Sequence, residues 1–206
     1  MTRAVRRDAQ RNRERILAAA ATTMASHGRN VPLASIADAA GVGVGTFYRG
    51  FPDRTALLHA MEYRAYELLI DILVRIEELP QTGAEAVHSF LVESLGIAER
   101  LVLPLHGAPP LLDEAAVAAR QRIDAALESF LAAGRADGTV RQDVNATDVI
   151  MCSALTTQPL QHGPNWQVTA RRHIALFVAG IRAVDDAALP GPAVGRRDIE
   201  ETFRQV

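Results

Sequence analysis

The stretch from residue 33 to residue 51 constrains the fold more than any other part of the sequence. Its apolar residues recur at helical spacing on both sides of Gly41, and a glycine at that point allows the sharp turn that two short helices need. Ala37 supplies a small side chain where the helices cross, and Phe47 supplies an apolar anchor on the second one. The spacing from Ala37 through Gly41 to Phe47 predicts a helix-turn-helix.

The rest of the chain also predicts helices and no strands. Alanine and leucine dominate, and the β-branched residues do not cluster in the alternating runs that are typical of strands. Glycine and proline mark the turns between the helical segments. We therefore expect an all-α protein, with helices at residues 8–27, 32–40, 44–49, 53–78, 84–105, 112–135, 145–157 and 167–184.

The distribution of charge indicates two modules with different partners. The net charge is -2, but residues 1–60 hold nine arginines against four acidic residues, whereas the remainder holds thirteen against twenty. A basic N-terminal module next to a helix-turn-helix favours a nucleic acid as its partner. The predicted domains are a DNA-binding domain (1–52), a connecting helix (53–80), a ligand-binding and dimerisation domain (81–185) and a tail (186–206) that is mobile or a short helix.

Other features weigh against several classes of protein. No apolar run approaches the ~20 residues that span a bilayer, and the basic N terminus is not followed by an apolar stretch with a cleavage site. We therefore expect no membrane span and no signal peptide. The single cysteine, Cys152, fits a reducing cytoplasm. Without a His-x-x-x-His pair or a Gly-x-Ser-x-Gly elbow, we expect no metal, no cofactor and no enzymatic activity.

Residues 8–60 resemble the TetR family of transcriptional regulators. The resemblance is carried by an arginine-rich first helix that ends at Gly28 and by the segments Ile36-Ala37, Ala40-Gly41-Val42, Gly45-Thr46-Phe47-Tyr48, Phe51-Pro52-Asp53-Arg54 and Ala56-Leu57-Leu58. The remainder is similar only in its general layout of helices. The resemblance implies a dimeric DNA-binding regulator with two half-sites in a pseudo-palindromic operator, most often a repressor that responds to a small molecule.

The resemblance also assigns roles to single residues. Thr46 would contact base edges or phosphate, Tyr48 would donate to a phosphate, and Arg49 would face the groove and read guanine. Arg54, where the family usually has lysine, would contact the DNA backbone at the start of its helix. The predicted DNA contacts are Ser35, Val44, Gly45, Thr46, Tyr48, Arg49 and Arg54, together with Arg6, Arg7 and Arg11 of the first helix.

Three residues around these contacts differ from the usual family pattern. Gly43, Val44 and Gly50 stand where a serine, a basic residue and an aromatic residue or histidine are frequent. Glycine has a low helix propensity, so we expect the second helix of the motif to be intrinsically weak.

Polar residues on otherwise apolar helix faces are candidates for binding an effector in the second module. Ser94 falls in line with apolar neighbours, His106 lies at a proline-rich bend, and Arg120 flanks apolar residues one turn away. Each also has a structural explanation, because a buried serine usually bonds to its own backbone and an arginine can reach solvent. The predicted ligand-binding residues are Phe90, Ser94, His106, Arg120, Ile123, Met151, Leu155, Gln158 and Trp166.

The last two predicted helices are apolar on more than one side, which predicts a four-helix interface between two protomers. The predicted interface residues are Val149, Ile150, Ile174, Phe177 and Ile181.

Two further functions stay open. One is a DNA-binding regulator that responds to a protein partner or to no effector. The other, a small helical enzyme, is disfavoured because residues 33–51 hold no acid–base pair or nucleophile in a pocket-like setting.

Overall fold

The structure is a computed structural model that describes residues 3–158, 165–182 and 188–205, with side chains from residue 7 onward. The described residues contain no strand, and the predicted all-α fold is confirmed. The helices are α1 (Arg3–His27), α2 (Leu33–Ala39), α3 (Val44–Gly50), α4 (Arg54–Glu77), α5 (Gly83–Gly96), α6 (Glu114–Ala136), α7 (Ala146–Thr156), α8 (Trp166–Ile181) and α9 (Arg196–Gln205).

The chain divides into two compact units, and each is formed by two separate stretches. The N-terminal unit comprises Met1–Ala65 and Glu99–Pro110, and the C-terminal unit comprises Tyr66–Ala98 and Leu111–Val206. Helix α4 therefore contributes to both. The stretch from Glu99 to Pro110, which we call the return segment, belongs to the N-terminal unit. In the sequence it lies between α5 and α6, which belong to the C-terminal unit.

The return segment corrects the prediction of one helix over residues 84–105. Helix α5 ends at Gly96, and two short 3₁₀ turns, Ala98–Arg100 and Pro104–His106, follow it. The physical reason is local, because Gly96 has low helix propensity and Pro104 cannot continue a helix. Val102, which falls within that predicted helix, is buried in the core of the N-terminal unit together with Ala108.

The core of the N-terminal unit joins the apolar faces of its helices. Ile16 of α1, Ile36 of α2, Phe47 of α3 and Leu57 of α4 are almost entirely buried and belong to one cluster. Asp53 caps α4 as predicted, since its carboxylate accepts a hydrogen bond of 2.7 Å from the backbone N–H of Ala56.

The C-terminal unit packs α5 against α6, α7 and α8. The approach of α5 to α6 is close enough to require glycine, because a Cβ atom on Gly134 would lie 2.9 Å from the Cβ of Val140 and 3.3 Å from the Cα of Gly83. Side chains cap the N termini of α5, α6 and α7, and at α5 Thr82 and Glu85 form a capping box.

The C-terminal tail, for which the sequence left a mobile segment or a short helix open, contains α9. Glu200 and Phe203 are buried, whereas most of the other side chains of this helix are exposed. The predicted glycine- and proline-marked break at 159–164 lies outside the described residues. No helix in the described ranges combines the length and the apolar character needed to cross a membrane.

Candidate DNA-binding and sensor sites

The turn between α2 and α3 is held by glycine and by an arginine from α1. Gly41 adopts a φ of 61°, a conformation that disfavours other residues. Its carbonyl oxygen accepts a hydrogen bond of 3.2 Å from the guanidinium of Arg15, and the N–H of Val42 donates to the carbonyl oxygen of Ala37 at 3.0 Å. These contacts fix the angle at which α3 leaves the turn.

Helix α3 is anchored on one side and open on the other. Phe47 is fully buried, with its ring centroid 5.8 Å from that of Phe51. The guanidinium of Arg13 lies 4.9 Å from the Phe51 ring centroid, so an arginine of α1 covers the end of α3. Because one face is committed to the core, the opposite face is presented to solvent.

The exposed face of α3 carries most of the predicted DNA contacts. Val44, Gly45, Tyr48 and Arg49 are exposed, and Thr46 is half-buried. The Tyr48 ring stacks edge-on against Phe47, with 5.6 Å between the centroids. This contact fixes the ring while the side chain stays accessible. The arrangement resembles the way a recognition helix is presented to a major groove.

Basic residues of α1 border this face. Arg49 and Thr46 line a cleft between α1 and α3 with a volume of about 580 Å³. Arg7 and Arg11 are exposed on α1, and Arg11 lies 3.9 Å from the carboxylate of Asp8. The side chain of Arg6 lies outside the described residues. Ser35 is exposed on α2.

Arg54 has a different environment from the one we expected. It is half-buried, and its guanidinium donates to the carbonyl oxygen of Val31 at 2.6 Å and to that of Arg29. Arg54 therefore ties the start of α4 to the loop after α1, and its expected contact with the DNA backbone stays a prediction. The sequence analysis missed Arg13 and Arg15, whose only signal is the density of arginines in α1.

His106 belongs to the N-terminal unit and not to a sensor pocket. Its Nδ1 lies 2.7 Å from the carbonyl oxygen of Leu101, and its own carbonyl oxygen accepts a hydrogen bond from the guanidinium of Arg29. Burial lowers the pKa of Arg29. The assignment of His106 as an effector ligand is therefore corrected: the histidine helps to attach the return segment to the DNA-binding unit.

Four of the predicted ligand-binding residues lie together on one groove between α7 and α8. This groove, which we call the α7–α8 groove, has a volume of about 450 Å³, and Cys152 and Phe177 also line it. Burial raises the pKa of the Cys152 thiol to about 11, so the thiol is protonated at neutral pH. The four predicted residues on the groove are Met151, Leu155, Gln158 and Trp166.

The predicted dimer interface needs a correction in the same region. Val149, Ile174 and Ile181 are buried within the chain itself and have no side-chain surface to offer a partner. Their helices are apolar on two sides, and the sequence could not show which side faces inward. The outward apolar surface is formed by Leu155, which is 72% exposed, by Leu176, which is 60% exposed, and by the partly buried Ile150 and Phe177.

The other predicted ligand-binding residues are inside the C-terminal unit. Phe90 and Ile123 are buried apolar residues. Ser94 is fully buried, and within the described part of the chain its hydroxyl has no hydrogen-bond partner. Such a hydroxyl is costly to bury, which keeps Ser94 a candidate for contact with a bound polar group.

Arg120 of α6 is the centre of a buried polar cluster. Its Nε and Nη2 donate to the two carboxylate oxygens of Glu200, at 2.7 and 2.9 Å. Its Nη1 donates to the hydroxyl of Tyr66 at 3.2 Å and to the carbonyl oxygen of Leu111 at 3.0 Å. The guanidinium also lies 5.5 Å from the ring centroid of Phe203.

The electrostatics of this cluster favour an ion pair. The side chains of Arg120 and Glu200 are only 10% and 6% exposed. Burial alone would lower the pKa of Arg120, but its hydrogen bonds to Glu200 and Tyr66 raise it above the ordinary value. The hydrogen bond from Arg120 lowers the pKa of Glu200. Both groups are therefore charged at neutral pH.

Across the described residues, no three metal-ligating side chains come together.

Comparison with known proteins agrees with this architecture. Residues 16–61 match the family described as bacterial regulatory proteins of the tetR family, and residues 84–183 match the C-terminal domain of SbtR-like transcriptional regulators. None of the curated proteins matches the sequence significantly.

Solved structures with the same fold include two at 31% identity. A TetR transcriptional regulator from Streptomyces coelicolor aligns over 84% of this chain and 99% of its own, with a TM-score of 0.60. A TetR regulatory protein from Mycobacterium vanbaalenii aligns over 86% and 99%, with a TM-score of 0.61. AibR, solved in complex with isovaleryl coenzyme A and operator DNA, is 16% identical in sequence. Its structure aligns over 84% of this chain and 100% of its own, with a TM-score of 0.65.

Proposed function

This chain belongs to the TetR family of bacterial transcriptional regulators, and we propose that it acts as a homodimeric repressor whose C-terminal unit binds a small-molecule effector. The observation that carries the DNA-binding part is the geometry of α3. Buried Phe47 fixes the helix, and the exposed Tyr48 and Arg49 project from it beside the basic surface of α1.

In this proposal α3 enters the major groove and the arginines of α1 follow the phosphates. Arg49 has the length and the planar donor pair that read guanine. Tyr48 and Thr46 donate to phosphates, which sets the register of the helix on DNA. Arg7 and Arg11 add affinity that depends on salt and not on sequence, because they release counterions from the DNA.

The α7–α8 groove supports dimerisation. It lies on the two helices predicted to meet a partner, and Met151, Leu155 and Phe177 give it an apolar surface. Contiguous exposed apolar surface of this kind marks interaction sites in soluble proteins. A second copy of this chain would bring its own groove to the same surface around a two-fold axis, and two recognition helices would then reach two half-sites.

The return segment supports control of DNA binding by an effector. It is covalently joined to α5 and α6 of the C-terminal unit, while Val102 and Ala108 pack in the core of the DNA-binding unit. A ligand that favours one arrangement of α5 and α6 would therefore act on the DNA-binding unit through this segment. It can shift the equilibrium only by its difference in affinity for the two arrangements. AibR, which has this fold, forms a complex with isovaleryl coenzyme A and operator DNA, so it is a precedent for one such protein binding both kinds of partner.

The decisive experiment selects preferred DNA sequences with the wild-type protein and with Arg49→Ala. We expect the variant to lose preference at one base position of each half-site and to bind the best sequence more weakly by about 1–3 kcal/mol. Arg122→Ala is the matched control, because it removes another exposed arginine, from α6. An unchanged sequence preference in Arg49→Ala would show that Arg49 does not read a base.

A regulator without a small-molecule effector is the second candidate. It is favoured by one observation, namely that Arg120, the main polar residue inside the C-terminal unit, is already paired with Glu200. A thermal-shift screen followed by DNA-release assays distinguishes the two. Compounds that stabilise the protein and also release it from DNA support the first, and stabilising compounds that leave DNA affinity unchanged support the second.

A further inference from the structure

The Arg120 cluster has the chemistry of a receptor for a carboxylate. Two donors of one guanidinium engage both oxygens of one carboxylate, at 2.7 and 2.9 Å, which is the bidentate geometry that gives such pairs their specificity. The hydroxyl of Tyr66 and the carbonyl oxygen of Leu111 hold the guanidinium from its other end. An arginine that is buried this far requires an anion, because an unpaired buried charge is strongly unfavourable.

The anion comes from a helix that is attached to the unit by few contacts. Helix α9 buries only Glu200 and Phe203 among its described residues. A further ion pair, from Arg196 to Asp124, is 3.7 Å long and partly exposed. Buried ion pairs contribute little net stability once desolvation is counted, so the burial of Phe203 is the main favourable term. A small molecule that offers both groups would compete with these two side chains for the same contacts, while hydrogen bonds from Asn145 to the Val194 carbonyl oxygen (3.0 Å) and from the Leu189 N–H to Asp143 (2.9 Å) keep the segment before α9 attached.

The two buried residues of α9 together define a ligand chemistry. They are three positions apart on a helix, so they lie on the same face and enter the cluster side by side. Glu200 presents a carboxylate to the guanidinium of Arg120, and Phe203 places an aromatic ring 5.5 Å from the same group. The pair has the features of a carboxylic acid that carries an aromatic group.

We propose that Arg120 and Tyr66 form the binding site for a small aromatic carboxylic acid, and that Glu200 and Phe203 of α9 occupy this site in the absence of ligand. The inference rests on the proposed ligand-responsive function and names the chemical class of its effector. The ligand carboxylate takes the place of Glu200 on Arg120, its ring takes the place of Phe203, and α9 leaves the surface of the C-terminal unit.

The test uses the full chain and 3-phenylpropanoate as the probe, with 3-phenylpropanamide as the uncharged analogue. Binding is measured by isothermal titration calorimetry for the wild type, Glu200→Gln and the matched control Glu201→Gln, which changes the exposed neighbour. Weakening the internal competitor increases the fraction of protein with an open site, so we expect Glu200→Gln to bind the acid at least about tenfold more tightly than the wild type. Glu201→Gln should match the wild type, and the amide should bind none of them measurably.

Hydrogen exchange provides a second readout. The acid should accelerate exchange of the backbone amides of α9 in the wild type, because displacement exposes them. Arg120→Gln should abolish binding of the acid. If that variant does not fold, as judged by circular dichroism, Tyr66→Phe replaces it and should weaken binding severalfold while keeping the ring.

Any of three results overturns the proposal: no binding of the acid to Glu200→Gln, equal affinity in Glu200→Gln and Glu201→Gln, or equal binding of the acid and the amide. Unchanged exchange of α9 in a complex that does form would show that the ligand binds elsewhere. Neither readout involves DNA, so a negative result here leaves the proposed regulatory function to its own test.

Discussion

Leu155→Asp should separate the protomers of the proposed dimer without unfolding the chain. Leu155 lies on the α7–α8 groove and is 72% exposed in the single chain, so most of its side chain is available to a partner. Burying a whole leucine side chain stabilises by about 1.5–3 kcal/mol, and about seven-tenths of that is available here. A two-fold interface contains the residue twice, so its loss costs roughly 2–4 kcal/mol, equivalent to a rise of roughly 30- to 1000-fold in the dimer dissociation constant.

Sedimentation velocity over a range of protein concentrations measures this change. The matched control is Leu112→Asp, because Leu112 is also an exposed leucine, at 52%, in the same unit but outside α7 and α8. Both variants should keep the helical content of the wild type, as measured by circular dichroism. Only Leu155→Asp should sediment as a monomer at micromolar concentration, and it should also bind operator DNA weakly, since a monomer reaches one half-site.

A Leu155→Asp variant that stays dimeric at the concentrations where Leu112→Asp does would refute the placement of the interface. A charge at Ile174, which the sequence placed in the predicted interface, cannot serve for this test. Ile174 is fully buried within the chain, so an aspartate there would unfold the protomer and not merely separate two of them.

Three further outcomes follow from the structure. Gly134→Ala should lower the free energy of unfolding, measured in denaturant, by about 1–3 kcal/mol, because the added methyl meets the side chain of Val140. Gly96→Ala is the control: no atom lies within 4 Å of its added Cβ, so it should not destabilise the protein. Gly45→Ala should stabilise α3 by up to about 1 kcal/mol, visible as slower hydrogen exchange in free protein, because its Cβ also meets open space. The pKa of Glu200 is lowered in the folded chain, so its contribution to stability is complete above the ordinary glutamate range and is lost as pH falls through the lowered pKa. The protection of the α9 amides, taken relative to the intrinsic exchange rate at each pH, should fall there in the wild type and not in Glu200→Gln.

The helix-turn-helix could be predicted from sequence because its determinants are local. Gly41 is needed for a positive φ, and Phe47 lies close in sequence to several of the neighbours that bury it. The exposed positions of α3 then follow from helix periodicity alone. The same reasoning placed Asp53 at the start of α4, where its carboxylate does cap the helix.

The sensor region could not be predicted in the same way, because its key contacts join distant residues. Arg120 and Glu200 are 80 positions apart, and no local pattern connects them. Val102 shows a helical spacing with the residues of α5, but spacing cannot tell which of two cores a side chain enters. Helix α8 has apolar residues on two sides, and the sequence does not show which side packs in the core and which side faces a partner. Ile174 was predicted on the interface side, but it is buried in the core of its own chain.

In the proposed ligand site, Arg120 also holds the residue that follows the return segment. The residue whose carbonyl oxygen it holds, Leu111, is the first one after the return segment. The other contacts of that segment, the buried Val102 and the hydrogen bond from Arg29 to His106, lie within the DNA-binding unit. A carboxylate that replaces Glu200 would change the anion bound to Arg120, near the N-terminal end of α6. The return segment would keep its contacts within the N-terminal unit. Packed elements tend to move as discrete bodies. We therefore expect the response of the DNA-binding unit to depend on whether Arg120 keeps its hydrogen bond to the carbonyl oxygen of Leu111 when the ligand carboxylate replaces Glu200.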